Sequence, residues 1–311
     1  MINKITESFV SVVIYIHNQQ ENIQKFVDGI YQVLNESFKN FEIICVDDGS
    51  TDNSVSIIKE LALNYGNTVL SIIHMGKTNG KELAMKAGID ASIGDYVFEF
   101  EMLDEEFNMK LITDAFNKSV KGYDIVNCVN KNNKRYVSKL FYYVFNHFSN
   151  INNSIHTVTF RLVSRRAINR TESMSTSFFF RKALYANCGL QEYNLYYDGN
   201  KSKTQGTVFS EERVSTAIDA MLLFTKIGYK ISIGLTIFMS IFSMLVLIYT
   251  ITVYTMGQTI AGWTPIMLFM SFSFLGLFIV ITIIIKYMDL LINLNFKKKD
   301  YIIESMEKIT K

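Results

Sequence analysis

The chain has 311 residues, 49% of them hydrophobic, and a formal net charge of +2 at pH 7. That length accommodates one large domain or two smaller ones, and the near-neutral charge gives no footing for nucleic acid as a partner. Three widely spaced cysteines, Cys45, Cys128 and Cys188, match neither a disulfide framework nor a zinc site, and read as small buried residues in a reducing compartment.

Taken in chain order, Ser11 to Ile16 is a short β-branched run that predicts a buried strand. Glu21 to Leu34 carries Ile23, Phe26, Val27, Ile30 and Val33 at helical spacing. Glu42 to Val46 predicts the second strand, followed by the acidic turn Val46-Asp47-Asp48-Gly49-Ser50-Thr51-Asp52-Asn53-Ser54 and a helix from Ser54. Two adjacent carboxylates thus stand where a strand ends and a helix begins, the edge at which open α/β sheets bind ligands. Val69 to Ile73, Gly80 to Ile89 and Tyr96 to Phe100 predict strand, helix and strand. This rhythm argues for a parallel-type sheet with both faces covered.

Farther on, Val137 to Phe148 is an aromatic helix with basic neighbours, which fits either a bilayer interface or ordinary core packing. Ile231 to Tyr254 and Trp263 to Ile285 are uncharged apolar runs, each long enough to span a bilayer as a helix of about 20 residues. Lys226 and Lys230 precede the first run, Lys286 and Lys297 to Lys299 follow the second, and the connecting loop is uncharged. The positive-inside bias places both ends in the cytoplasm. The polar start, Met1 to Ser8, lacks the features of a signal peptide and agrees with that orientation. The tail from Asn293 to Lys311 mixes Lys, Glu and apolar residues and reads as a surface helix.

These segments resemble family 2 glycosyltransferases of the polyprenyl-phosphate type, the group of bactoprenol glucosyltransferases and dolichyl-phosphate mannose synthases. Val12 to Ile23 is similar to the family's opening VVIPVYNEEENI, and VDDGSTDNS is nearly its own wording. Asn79-Gly80-Lys81-Glu82 with Ala87-Gly88 resembles its NxGKxxAxxxG helix. Gly94-Asp95-Tyr96-Val97 resembles the start of its metal strand, and Phe160-Arg161-Leu162 with Arg165 the end of GDFRLxxR.

The resemblance implies an α/β, Rossmann-like GT-A domain at 1–210, a juxtamembrane amphipathic helix at 211–230, two transmembrane helices within 231–286 and a cytoplasmic tail with a short helix at 287–311. It implies a nucleotide-sugar donor, a polyprenyl-phosphate acceptor, a multi-pass place in the cell membrane, a bound Mg²⁺ or Mn²⁺ and a possible homo-oligomer. His17, Asp47, Asp48 and Lys81 fall on nucleotide positions. Glu101 and Asp104 fall on or beside the metal positions, Asp104 and Glu106 on the catalytic acidic ones. Arg161, Lys201 and Lys203 supply charge for the lipid phosphate.

The polar positions depart from the family pattern. The two metal-strand aspartates align with Glu101 and Leu103, and leucine offers no ligand. Thr159 replaces the aspartate before Phe160, and the basic Gly-rich segment at Asp198 to Gly206 has lysines in place of the arginine pair. Two functions follow as expectations. The first is sugar transfer to undecaprenyl phosphate for cell-envelope glycans. The second is a catalytically impaired relative serving as a scaffold or regulatory partner.

Overall fold

The computed structural model describes residues 6–66, 69–103, 107–132, 157–174, 181–199 and 301–309, with scattered helical positions between 234 and 291. The chain divides into two compact units. The first contains Met1–Asn146, Ile151–Ala217 and Lys298–Lys311, and the second His147–Asn150 and Ile218–Lys297.

In the first unit the chain alternates β1 (Thr6–Ile16), α1 (Ile23–Ser37), β2 (Phe38–Asp47), α2 (Ser54–Asn64), β3 (Val69–Met75), α3 (Lys81–Ala91) and β4 (Tyr96–Phe100). It continues through α4 (Lys110–Val120), β5 (Ile125–Asn130), β6 (Phe160–Ser164), α5 (Arg165–Met174), α6 (Arg181–Asn187) and β7 (Glu192–Tyr197), and β8 (Ile303–Ile309) joins from the tail. The described strands form one mixed sheet in the order β7-β5-β6-β4-β1-β2-β3-β8. Strands β3, β2, β1 and β4 are mutually parallel, so their carboxyl ends lie along one edge.

Because strand side chains alternate between faces, each strand feeds two cores. Val12, Ile14, Ile16, Ile43, Cys45, Phe98 and Phe100 pack with the buried stripes of α1, α2 and α4. Val13, Ile44, Val46, Ile73 and Val97 pack with α3, α5 and Tyr185 of α6. Two covered faces explain why these strands read as continuous apolar runs. Gly88 lies where α3 meets the sheet, and a Cβ there would meet Val13 Cγ1 at 2.4 Å and Val46 Cγ2 at 2.7 Å. The three cysteines are buried and free, and burial pushes the Cys45 thiol up to about 12, which suits an inert packing role.

The strand-helix alternation predicted for residues 11–100 is present, with longer strands at β1 and β2. The tail is a correction. In place of a surface helix, Ile303–Ile309 is a strand antiparallel to β3, in register His74 with Ser305 and Ile72 with Glu307. The physical reason is the open edge of β3, whose unpaired amides and carbonyls favour an added strand over local helix formation. The predicted helices at 137–148 and 210–228 lie outside the described residues. Among the described residues no helix is long and apolar enough to cross a membrane, and the two apolar runs lie mostly outside them.

Candidate nucleotide edge and its ion cluster

The opening loop and the acidic turn are joined into one structure at the carboxyl edge. The Asn18 amide donates to Ser50 Oγ at 3.1 Å, the Gln19 amide to Ser54 Oγ at 2.8 Å and the Gln20 amide to Asp52 Oδ2 at 2.9 Å. In return, the Thr51 amide donates to Asn18 Oδ1 at 2.9 Å. Asn18 has a φ of 52°, in the left-handed region that asparagine tolerates. Asp52 Oδ1 accepts from the Ser54 amide and hydroxyl at the start of α2, a structural capping role. His17 is half-buried, with Nδ1 2.9 Å from the Asp48 carbonyl oxygen.

The two adjacent aspartates do different work. Asp48 is completely buried, and its carboxylate accepts from the amides of Asn79 at 2.7 Å and Gly80 at 3.0 Å and from Tyr15 OH at 3.2 Å. It ties the acidic turn to the Asn79-Gly80-Lys81 segment, where Gly80 takes a φ of +84° to open α3. Asp47 accepts from the Ser50 amide through Oδ1 at 2.9 Å, and its Oδ2 lies 3.2 Å from His74 Nδ1. With about four lone-pair sites, Asp47 retains capacity for a ligand, whereas Asp48 is committed to the fold. Lys81 begins α3 and lies over the Tyr15 ring at 5.5 Å.

At the end of β4, Glu99 and Glu101 share a face by strand periodicity. There they meet a buried cationic cluster that the sequence reading missed. Arg181 of α6 is almost fully buried and donates from Nε to Glu82 at 3.1 Å, from Nη1 to Glu99 at 3.0 Å and from Nη2 to Glu101 at 2.8 Å. Lys182 Nζ lies 3.1 Å from Glu101 Oε2, and Tyr185 OH donates to Glu99 at 2.5 Å. Burial pushes the Glu101 carboxyl up, but the Lys182, Arg181, Lys81 and Arg161 charges outweigh it and hold it well below the usual carboxylate range. The legible signal was Glu99 itself, a charged residue inside an apolar strand, which requires a buried partner. Nothing in the sequence pointed to Arg181 as that partner.

Arg161 on β6 stands beside Glu99, donates from Nε to Asn127 at 2.6 Å and lies over the Tyr185 ring at 5.0 Å. Its Nη1 is buried, 3.9 Å from Glu99 Oε2, with no hydrogen-bond partner among the described residues. Arg165, the other basic residue of that motif, is structural. It donates to the Gly94 and Ser92 carbonyls at 3.0 and 2.8 Å. Gly94 is required there, since a Cβ would lie 2.6 Å from the Ser11 amide nitrogen. Asp95 accepts from the Phe9 amide at 2.9 Å.

The described residues do not fit a divalent cation of the kind the resemblance implies. Glu101 turns its two oxygens to Arg181 and Lys182, and Leu103 is buried in the apolar core. Among the described residues no three His, Cys, Asp or Glu side chains converge on one point. Asp104, Glu106, Lys201 and Lys203 lie outside the described residues.

On the opposite edge, Asp124 accepts from Ser164 Oγ at 2.8 Å and from Arg166 Nε at 2.9 Å. Burial raises its pKa, but the bonds from Arg166 and Ser164 and the Arg166 charge prevail and lower it. A carboxyl depressed in the folded state stabilises fully above its unfolded pKa of about 3.9 and loses that contribution as pH falls through its folded value. Asp124→Asn should therefore lower the melting temperature at pH 7 while flattening the further loss between about pH 5 and pH 2. Parallel acid-melting curves for the two proteins would refute this ion-pair contribution.

The Glycosyl transferase family 2 profile matches residues 11–172. An uncharacterized glycosyltransferase of Synechocystis is 28% identical over 279 residues, covering 86% of this chain and 85% of its own. The putative glycosyltransferase CsbB of Bacillus subtilis is 24% identical, covering 84% and 80%. The undecaprenyl-phosphate 4-deoxy-4-formamido-L-arabinose transferase of Edwardsiella ictaluri is 30% identical over 124 residues, 40% of this chain and 38% of its own. The mannosyltransferase PcManGT of Pyrobaculum calidifontis, solved with GDP-Man and Mn²⁺, superposes with a TM-score of 0.51 at 14% identity, over 70% of this chain and 63% of that one. The last likeness establishes the GT-A α/β fold. With the profile spanning the acidic turn, the β4 strand and Arg161, the chain belongs to glycosyl transferase family 2.

Proposed function

We propose that this glycosyltransferase moves a sugar from a nucleoside-diphosphate sugar to a polyprenyl phosphate at the cytoplasmic face of a membrane. The observation that carries the reading is Asp47, a carboxylate with spare acceptor capacity at the carboxyl edge of four parallel strands, in a chain of this family. Asp47 accepts from the nucleoside. Lys81 at the start of α3 and Lys182 beside Glu101 are the cations for the departing diphosphate. Arg161 Nη1, which has no hydrogen-bond partner among the described residues, suits an anionic oxygen on the acceptor side.

In the reaction, an acceptor phosphate oxygen forms a bond to the anomeric carbon as the bond from that carbon to the diphosphate oxygen breaks. The electron pair leaves with the nucleoside diphosphate. A phosphate oxygen is already anionic, so no protein base has to remove a proton.

The relative that acts on undecaprenyl phosphate supports the acceptor class. Membrane attachment draws support from the second unit. Phe238, Ile241 and Leu245, then Ile266, Met270, Leu277, Ile281, Ile284, Met288 and Leu291, are helical positions with exposed large apolar side chains. Such a surface is disfavoured in water and suited to lipid.

The test is transfer by the full chain in detergent or vesicles, with a panel of UDP- and GDP-sugars and undecaprenyl phosphate, with Mg²⁺, with Mn²⁺ and with a chelator. Product should form with at least one donor, and Lys81→Ala should lower turnover about tenfold, the loss of one charge-assisted contact. No product with any donor under any of these conditions would refute the proposal and leave the catalytically impaired reading.

A further inference from the structure

The Asp47 carboxylate rests on a side chain that also touches the C-terminal strand. His74 Nδ1 faces Asp47 Oδ2 at 3.2 Å, and His74 Nε2 faces Glu307 Oε1 at 3.6 Å. The other oxygen of Glu307 is held by Lys59 Nζ of α2 at 2.7 Å. The imidazole thus lies between a carboxylate of the candidate nucleotide edge and a carboxylate of β8.

The strand that brings Glu307 here is fastened at its start as well as along its length. The Gly76 amide donates to the Ile302 carbonyl at 3.0 Å, and Tyr301 OH donates to Asp90 Oδ2 at 2.7 Å. Lys86 lies over the Tyr301 ring at 5.6 Å. Among the described residues strand β8 ends this side of the sheet and pairs with β3 alone. Hydrogen bonding from Lys59 keeps the Glu307 carboxyl below its usual range, and hence ionised against His74.

We propose that His74 and Glu307 are positioning residues for nucleotide binding. The ring's Nδ1–H orients Asp47, Glu307 sets the charge 3.6 Å from the ring's Nε2, and nucleotide affinity therefore depends on β8 remaining docked on β3. The inference rests on the reading of Asp47 as a nucleotide ligand. Without His74, the Ser50 amide would be the one contact holding Asp47 among the described residues. A carboxylate restrained at one oxygen pays more conformational entropy on capturing a ligand than one restrained at both.

The experiment measures UDP and GDP dissociation constants of the full chain in detergent by calorimetry, with melting curves as a control for folding. Asp47→Ala establishes the underlying reading. His74→Phe should weaken the bound nucleotide about tenfold, the effect of losing a hydrogen bond to a charged group. Asparagine places its amide nitrogen near the position of Nδ1 and glutamine near that of Nε2, so His74→Asn should restore more affinity than His74→Gln. Glu307→Gln, which removes the charge 3.6 Å from Nε2, should weaken binding about threefold. In the Asp47→Ala background, His74→Phe should have no further effect, because the two act as one unit.

If Asp47→Ala weakens binding but His74→Phe does not, or weakens it equally in both backgrounds, the positioning role is refuted and the nucleotide reading stands. Should Asp47→Ala bind both nucleotides as the wild type does, or the wild type bind neither, the nucleotide reading fails and takes this inference with it. Where His74→Phe does not fold, the order of the asparagine and glutamine variants decides, and equal affinities overturn the proposal.

Discussion

Arg181→Met should destabilise the protein by about 3–5 kcal/mol, because it removes the charge that buried carboxylates share. For a domain of this size that corresponds to a fall in melting temperature on the order of 10 °C. The guanidinium reaches Glu82, Glu99 and Glu101 through three separate nitrogens, and Glu99 is as buried as Arg181 itself. Burial alone would favour a neutral Arg181, yet the three glutamates hold its pKa above the usual range. Arg181→Lys should recover part of the loss, since lysine keeps the charge but lacks the fork that spans three acceptors. A melting temperature for Arg181→Met within about 2 °C of wild type would show that the cluster contributes little. The consequence for function is indirect. Glu101 stands where the family pattern places a metal ligand, but here it belongs to the ion cluster that anchors α6 to the sheet.

The second large effect separates the paired aspartates. Asp48→Ala would strand the Asn79 and Gly80 amides and remove the acceptor of the Tyr15 hydroxyl bond. The Gly80 amide bond is buried, and an unmet buried polar group costs about 1–3 kcal/mol. A total loss of roughly 2–4 kcal/mol, with α3 detached from the acidic turn, is the expected result in thermal melting. Asp47→Ala, at a buried residue, loses two part-buried contacts, with the Ser50 amide and with His74, and should cost about 1–2 kcal/mol of stability. It should instead reduce affinity for UDP or GDP by at least about tenfold. Equal melting losses in the two variants would contradict the division of roles, as would unchanged nucleotide binding in Asp47→Ala.

The alternation of β-branched runs with helical periods was legible from residue 11 to residue 100, because two covered sheet faces demand apolar residues at every strand position. Asp47 and Asp48 were legible as a pair at a strand end, and both read as nucleotide ligands. Only the packed structure separates them, by handing Asp48 to the start of α3 and Asp47 to Ser50 and His74. Glycine and arginine of the Gly94 and Arg165 motifs were visible as a pattern. Their cause, a close approach to Ser11 and two carbonyls to bind, belongs to contacts between distant segments.

The tail shows the same division most clearly. Its mixture of Lys, Glu and apolar residues is compatible with either a helix or an edge strand, and local propensity differs between them by less than sheet pairing contributes. The sequence by itself determined the α/β rhythm, which follows from periodicity and short-range turn chemistry, and the order of its motifs carried the likeness to the family that the profile shows. The tertiary structure alone decided which carboxylates remain available there. Whether a buried acid binds a ligand or an arginine depends on the neighbour that folding places beside it, and Arg181 and Glu307 are both far away in the chain from the residues they hold.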